Sequence, residues 1–201
     1  MNRVCVFIDG FNLYHAIDDL HLDQKYKWLN VVELAKALVT KKDYLEHLVF
    51  FTTIVPWSDE KARCHREYIS ALSWAGAEVI LGEFHRKNIL CTKCHRVFSR
   101  YEEKQTDVNI AVQLLKHAHA DTCDTFLLIS GDSDLVPAVT LIKELYPNKK
   151  IIVGIPPGRR AKQLQQVAHG HRKMRSYHIT NNPLPPNITL PSGHRIISPY
   201  Q

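Results

Sequence analysis

The chain has 201 residues, 45% of them hydrophobic and 23% charged, which is typical of a single soluble globular domain. No apolar run approaches the ~18 residues of a membrane span. The N-terminus leads directly into a predicted strand instead of a signal peptide, so we expect a cytoplasmic protein with no membrane partner. The net charge of +6 suits a polyanionic partner such as nucleic acid, but equally an ordinary basic protein. Five cysteines, an odd number, argue against a disulfide framework.

The first half of the chain alternates apolar runs of strand length with segments of helical periodicity. The first strand ends at an Asp-Gly pair, and a helix is predicted to begin at Gly10. Asn30 and Ser58 are the expected N-caps of the next two helices. Strands are predicted at 3–9, 47–54 and 78–82, and the two capped helices at 31–40 and 58–74.

Residues 83–104 interrupt this alternation because they are rich in Lys, Arg, His and Cys, and we predict a hairpin-like insertion there. Thr106 is the expected cap of an amphipathic helix. From residue 181 the chain turns to Asn, Pro, Ser and Gly, which predicts an extended or partly disordered Pro-rich tail over 181–201. Further helices are predicted at 107–120, 134–145 and 159–167, and further strands at 125–130, 150–155 and 176–179. The alternation predicts an α/β domain over 1–180 with a mainly parallel sheet.

Four aspartates are predicted to gather at one edge of that sheet. Asp9 ends the first strand, and Asp107 begins a helix. Asp132 and Asp134 follow the strand at 125–130. Several carboxylates in one cleft repel one another, so such a group usually holds a hard cation such as Mg²⁺ or Mn²⁺. Each aspartate also has an ordinary alternative, because acidic residues are common in turns and in the first turns of helices.

Three sequence blocks resemble, in this order, the signature blocks of the NYN domain, a family of the PIN-like nuclease superfamily. They are VFIDGFNL at 6–13, EKQTDV at 103–108 and ISGDSDLVP at 129–137. The chain looks most similar to the LabA-like branch of that family. The resemblance implies a Rossmann-like, three-layer α/β/α sandwich and metal-dependent cleavage of RNA. By position it makes catalytic and metal-binding acids of Asp9, Asp107, Asp132 and Asp134, with Asn12 and Ser130 as polar supports in the same cleft.

The leading functional hypothesis is a divalent-metal-dependent ribonuclease in which a metal-activated water attacks a phosphodiester bond. The alternative is a non-catalytic nucleic-acid-binding or protein-interaction module that retains the acidic pocket. A third hypothesis is a hydrolase for small phosphorylated compounds. It is weaker, because a haloacid-type phosphatase needs a second aspartate two residues after the first, where this chain has Phe11.

The insertion carries one Cys-x-x-Cys pair, Cys91 and Cys94, which is half of a tetrahedral zinc site. Candidates for the other two ligands are His85 and His95 nearby and, farther away, Cys64 and His65. A structural Zn²⁺ there would hold together a hairpin that has little apolar content. Two alternatives stay open: reduced thiols without a metal, and a site completed by another subunit.

Basic residues in the insertion and near the late helix are candidates for binding RNA phosphates, although a charge run is often only a solvated face. They are Lys104, Arg86, Lys87, Arg96, Arg100, Arg159 and Arg160. Phe11, Tyr14 and Trp57 follow predicted strands and could stack on bases, with half-buried cover for the sheet as the ordinary alternative. The hairpin or an exposed sheet edge could support a homodimer.

Overall fold

The computed structural model describes residues 1–200. Its strands are β1 (Asn2–Asp9), β2 (Asp43–Thr52), β3 (Glu78–Leu81), β4 (Glu83–Leu90), β5 (Val97–Lys104), β6 (Thr125–Ile129), β7 (Lys150–Ile155), β8 (Gly170–Lys173), β9 (Asn187–Thr189) and β10 (Arg195–Ile197). Its α-helices are α1 (Gly10–Asp18), α2 (Val31–Leu38), α3 (Asp59–Trp74), α4 (Thr106–His119), α5 (Val136–Leu145), α6 (Lys162–Val167) and α7 (Ser176–Thr180). Within residues 1–200, every helix is too short or too polar to cross a membrane.

Six parallel strands form the central sheet in the order β3-β2-β1-β6-β7-β8, and this sheet curls into a half-barrel. Alternate side chains of β1 enter two separate cores. Val6 packs with α1, α2, α3 and α7 on one face of the sheet, and Phe7 packs with α4, α5 and α6 on the other face. Helices therefore cover both faces, and the predicted three-layer α/β/α fold is confirmed.

The order of the strands determines where a ligand would bind. With the β4–β5 hairpin set aside, the sheet has the 3-2-1-4-5-6 order of a doubly wound, Rossmann-like sheet. The chain first winds outward from β1 to β3 and then returns to the other side of β1 at β6. In such sheets ligands bind beyond the carboxyl ends of the strands at this switch point. The expected place for a site is therefore the edge where β1 and β6 end.

The predicted strand at 176–179 is wrong, because that segment forms the helix α7. The Arg175 amide donates to His178 Nδ1 at 2.9 Å and closes the first turn of this helix. The last strand of the sheet is instead β8, in which Gly170 lies opposite Ile152 of β7. The sequence of β8 is Gly-His-Arg-Lys, so it lacks the apolar run by which buried strands are recognised.

Residues 181–200 of the C-terminal tail, predicted to be extended or partly disordered, are folded against the domain. Its strands β9 and β10 form a small antiparallel hairpin in which Ile188 and Ile196 lie opposite each other and are buried. The Trp28 indole N–H donates to the Pro185 carbonyl at 2.9 Å, and the Leu184 N–H donates to the Trp28 carbonyl at 2.8 Å. The prediction missed this packing because only a few apolar side chains, spaced among prolines and asparagines, supply it.

We expect Ile188→Ala to destabilise the whole domain, because Ile188 is 3% exposed and belongs to the same core cluster as α2 and α3. Removing a buried isoleucine side chain costs about 2–4 kcal/mol of unfolding free energy. Ile197→Ala is the matched control, because Ile197 lies one residue beyond the buried Ile196 and is 59% exposed, so its cost is below ~0.5 kcal/mol. Urea denaturation measures both values, and equal midpoints for the two variants would contradict the packing of the tail.

The predicted insertion at 83–104 is confirmed as a hairpin, in which β4 and β5 form an antiparallel two-stranded sheet of their own. The hairpin leaves the sheet through Gly82. A Cβ atom at this position would lie 2.7 Å from both the Lys104 carbonyl oxygen and Thr53 Oγ1, closer than side-chain carbons pack. Glycine therefore lets the two ends of the hairpin come together directly beside the start of α4.

Candidate acidic active site

The site is built first on the end of β1. Ile8 lies opposite Ile129 of β6, so the parallel register places Asp9 next to Ser130. Asp9 is buried, and its Oδ2 accepts a 2.9 Å hydrogen bond from Ser130 Oγ. Its Oδ1 accepts a 3.0 Å bond from the Asn12 amide, which makes Asp9 the N-cap of α1. One carboxylate thus joins β1, α1 and β6 in a fixed geometry.

The loop after β6 is held by the same hydrogen-bond network. Ser130 Oγ accepts from the Asp132 amide at 3.0 Å, and Asp132 Oδ1 accepts from the Asp134 amide at 2.9 Å. Asn12 Oδ1 accepts from the Gly131 amide at 2.9 Å. Asn12 and Ser130 therefore support the two acidic segments at this edge.

Asp107 reaches the site from the first turn of α4, and its neighbours correct one prediction. Thr106 is not the cap; it is the first helical residue, and Gln105 precedes it with a left-handed φ of 76°. The side chain of Glu103 accepts hydrogen bonds from the Thr106 hydroxyl and, at 3.3 Å, from the Thr106 amide. An acid from the hairpin thus satisfies a free amide at the start of the helix and holds α4 next to the cleft.

Ten residues line the resulting cleft, whose volume is ≈ 400 Å³. They are Asp9, Phe11, Asn12, His15, Asp19, Glu103, Thr106, Asp107, Asp132 and Arg159. Five of them are acidic, whereas one is an arginine, which pairs with Asp19 at 3.0 Å. Asp134 is exposed and does not line the cleft. Sequence reasoning missed His15, Asp19, Glu103 and Thr106 as lining residues.

The crowding of acids changes the titration of two of them, Asp9 and Asp107. Burial raises the pKa of Asp9, the charges of Asp132 and Glu103 raise it further, and the hydrogen bonds from Asn12 and Ser130 oppose the shift. Burial likewise raises the pKa of Asp107 to about 6, with the charges of Asp132, Asp9, Glu103 and Asp134 as further causes. The cleft therefore carries negative charge that the protein itself leaves largely uncompensated.

Comparison with known proteins identifies the family. The sequence model of the NYN domain family matches residues 3–175, which is most of the chain and includes all four predicted aspartates. The chain belongs to the NYN domain family. This family is part of the PIN-like nuclease superfamily, whose members typically use divalent metals, and the assignment supports a nuclease or RNA-related role.

One solved structure shows the same fold. It is the crystal structure of VPA0982, a protein of unknown function from Vibrio parahaemolyticus RIMD 2210633. Its TM-score to this NYN domain is 0.58 at 20% sequence identity, and the match covers 87% of this chain and 93% of the other. A search of curated proteins finds no match.

The donors of the NYN cleft suit a hard cation by charge and by chemistry, because carboxylate oxygens are the ligands that Mg²⁺ and Mn²⁺ prefer. The side chains are not already gathered around one point. Among residues 1–200, no group of three or more His, Cys, Asp or Glu side chains is arranged to hold a metal ion. Binding would therefore require side chains of the cleft to draw together around the ion. The positive charge of the ion favours this movement, because it offsets the repulsion between the carboxylates.

The four zinc candidates of the hairpin are not brought together. Cys91 and Cys94 lie in the turn between β4 and β5. His85 lies six residues before Cys91 on an extended strand, about 20 Å away at the rise of a β-strand. Its Nε2 instead contacts Glu83 Oε2 at 3.1 Å. His85 is therefore too far from the turn to share a metal ion with the cysteines.

The predicted phosphate-binding residues lie in three places. Arg159 lines the cleft, in the loop before α6, and Arg160 borders a neighbouring depression. Lys87 and Lys104 both pair with Glu102 at 3.3 Å, which reduces their free charge. Arg86 donates to Ser99 Oγ, while Arg96 and Arg100 are exposed on the outer half of the hairpin. The structure thus brings one of the seven into direct contact with the acidic cleft.

Aromatic side chains connect the base of the hairpin to the cleft. Phe84 packs edge-on against Phe11 and Trp57, with ring centroids 5.7 and 4.9 Å apart, and Trp57 lies 5.2 Å from Tyr101. Trp57 is 48% exposed, so part of its ring faces solvent, and Phe84 links it to Phe11, which lines the cleft. Tyr14 lies outside this cluster, with the Lys27 ammonium 4.9 Å from its ring centre.

Proposed function

We propose that this NYN domain is a divalent-metal-dependent ribonuclease that hydrolyses RNA phosphodiester bonds. The observation that carries the proposal is the composition of the cleft. Five acids and a single arginine surround one opening at the switch point of the sheet, and ring contacts through Phe84 connect this opening to the exposed Trp57. This combination suits a polyanionic substrate that arrives with a cation, because the cleft alone would repel phosphate.

Asp9, Asp107 and Asp132 would hold the Mg²⁺ or Mn²⁺ ion, with Asp134 at the rim. A bound divalent ion supplies an activated water and stabilises the charge on the leaving oxygen. Asn12 and Ser130 keep the Asp9 and Asp132 segments in place through the hydrogen bonds described above. Arg159 can exchange its ion pair with Asp19 for a substrate phosphate and so hold the strand beside the acids.

The surface around the cleft supplies the rest of an RNA-binding path. Basic side chains of the hairpin and of the loop before α6 would follow the phosphates by charge, and Trp57 would stack on a base next to the cleavage site. The basic residues assigned this role are Lys104, Arg86, Lys87, Arg96, Arg100, Arg159 and Arg160. Placement in the LabA-like branch and a cytoplasmic location stay predictions.

The test is incubation of end-labelled single-stranded RNA with protein from which metals have been removed, with and without added Mn²⁺ or Mg²⁺. We expect fragments only when the metal is present. RNA binding without fragments under any metal condition would favour the non-catalytic module. Turnover of a generic phosphate ester together with indifference to RNA would favour the small-molecule hydrolase.

We expect Trp57→Ala to weaken binding of single-stranded RNA by roughly 5- to 150-fold, because stacking of a base on an aromatic ring contributes about 1–3 kcal/mol. Trp74→Ala is the matched control, because Trp74 is 46% exposed and lies at the far end of α3. Fluorescence anisotropy of labelled RNA gives both affinities. Trp57→Phe retains a ring and should recover most of the loss, whereas equal affinities for the Trp57→Ala and Trp74→Ala variants would contradict the stacking role.

A further inference from the structure

The outer end of the hairpin presents two thiols in one turn. The Cys91 amide donates to the Arg96 carbonyl and the His95 amide donates to the Cys91 carbonyl, both at 2.9 Å. These two hydrogen bonds close the turn that carries both thiols of the Cys-x-x-Cys pair. A Cys-x-x-Cys pair in such a turn has the spacing of two ligands of a tetrahedral zinc ion. The turn is therefore prepared as half of a tetrahedral site.

The chain does not complete this half-site. Among the residues described, no third His, Cys, Asp or Glu side chain joins the two thiols to make a metal-binding group, and this includes the adjacent His95. The more distant candidates lie on α3, where His65 contacts Thr52 Oγ1 at 3.1 Å and the partly buried Cys64 precedes it. In this geometry, a tetrahedral ion at the turn would take its two further ligands from outside the chain.

Apolar side chains surround the same turn. Leu90 and Val97 lie opposite each other at its base, Phe98 follows on β5, and all three are at least half exposed. A two-stranded hairpin is marginal on its own, and exposed apolar residues of this size at its end favour a contact that covers them. A second copy of the hairpin would supply both this cover and the two missing thiolates.

The charges at the turn suit the same arrangement. Zinc bound by four thiolates carries a net charge of −2, whereas zinc bound by two thiolates and two neutral ligands carries none. Lys93 and Arg96 are exposed within the turn, so two copies would bring four positive charges around the dianionic centre. Without the metal, these charges would keep the two ends apart.

We propose that two copies of this chain join at the ends of their hairpins around one Zn²⁺, which is bound by Cys91 and Cys94 of each copy. Four thiols lose their protons to solvent as the four Zn–S bonds form. The two copies are equivalent about a two-fold axis through the ion, as in most homodimers. Because each strand of the hairpin spans about 25 Å, the junction leaves both acidic clefts open. The proposal does not depend on the ribonuclease activity.

The test uses reduced, metal-free protein of full length, titrated with Zn²⁺ alone, with its mass measured by light scattering and its bound zinc by elemental analysis. We expect saturation at one zinc per two chains together with a doubling of mass, and both should be lost in Cys91→Ser. Cys64→Ser is the matched control and should behave as the wild type. Replacement of zinc by Co²⁺ should give the ligand-field spectrum of a four-thiolate site.

Three results would overturn the proposal. The first is one zinc per chain with no change in mass, which would mean that the chain completes its own site. The second is failure of the reduced protein to bind zinc. The third is a dimer that persists in Cys91→Ser without zinc. Circular dichroism of the variants separates these results from a failure to fold, and the substituted cysteine lies at the end of the hairpin, away from both cores.

Discussion

Asp9→Asn is expected to lower the rate of RNA cleavage by at least ~100-fold, the usual cost of removing a group that acts directly on the reacting centre. Asp9 is the buried acid on which the ends of β1 and β6 and the start of α1 converge. Asparagine keeps an oxygen that can accept the Asn12 amide bond and fits the same space. The change therefore removes one negative charge with little change in shape. A time course of labelled RNA with Mn²⁺ measures the effect.

The control for Asp9→Asn is Asp18→Asn, because Asp18 is an exposed acid on the same helix and does not line the cleft. It should cleave at the wild-type rate. RNA affinity of metal-free Asp9→Asn should be unchanged or slightly higher, because the cleft repels phosphate less. Cleavage by Asp9→Asn at the wild-type rate would remove Asp9 from the metal site. Loss of binding as well as cleavage would indicate that Asp9 acts through the fold.

The main acids could be predicted because a parallel sheet converts a local pattern into a spatial one. An apolar run followed by an acid marks the carboxyl end of a buried strand, and neighbouring parallel strands end at the same edge. Asp9 and Asp132 were expected together for this reason, and Ser130 is found between them. Such reasoning needs only strand direction and order, which the alternation of strands and helices supplies.

The other lining residues depend on features that the sequence shows weakly or not at all. His15 and Asp19 follow the predicted Asn12 at intervals of three and four residues, so this face of α1 could have been recognised. Glu103 depends on the left-handed backbone at Gln105, which no sequence pattern indicated. The hairpin was predicted, but only its length shows that His85 is too far from Cys91. Because a β-strand rises about 3.3 Å per residue, residues that are close in sequence can be far apart in space.

Asp107→Asn is expected to stabilise the metal-free protein at neutral pH. The pKa of Asp107 is about 6 in the folded protein against an ordinary value of 3.8, so the folded state binds this proton more tightly than the unfolded state. The stability that Asp107 contributes is therefore complete below its ordinary pKa and is lost as the pH rises through about 6. Because the side chain is partly exposed, we expect a gain of about 1–2 kcal/mol for asparagine at neutral pH.

Urea denaturation in chelator at about pH 4 and about pH 7.5 should show this gain only at the higher pH. Asp59→Asn is the matched control, because Asp59 lies in the first turn of α3 and is exposed, so its removal should cost a few tenths of a kcal/mol. Saturating Mg²⁺ should reverse the order, since the wild type gains binding energy that the variant loses. If Asp107→Asn is no more stable than the wild type at either pH, the carboxylates of the cleft do not destabilise the metal-free fold by repulsion. The argument that the cleft binds a divalent ion would then lose its electrostatic basis.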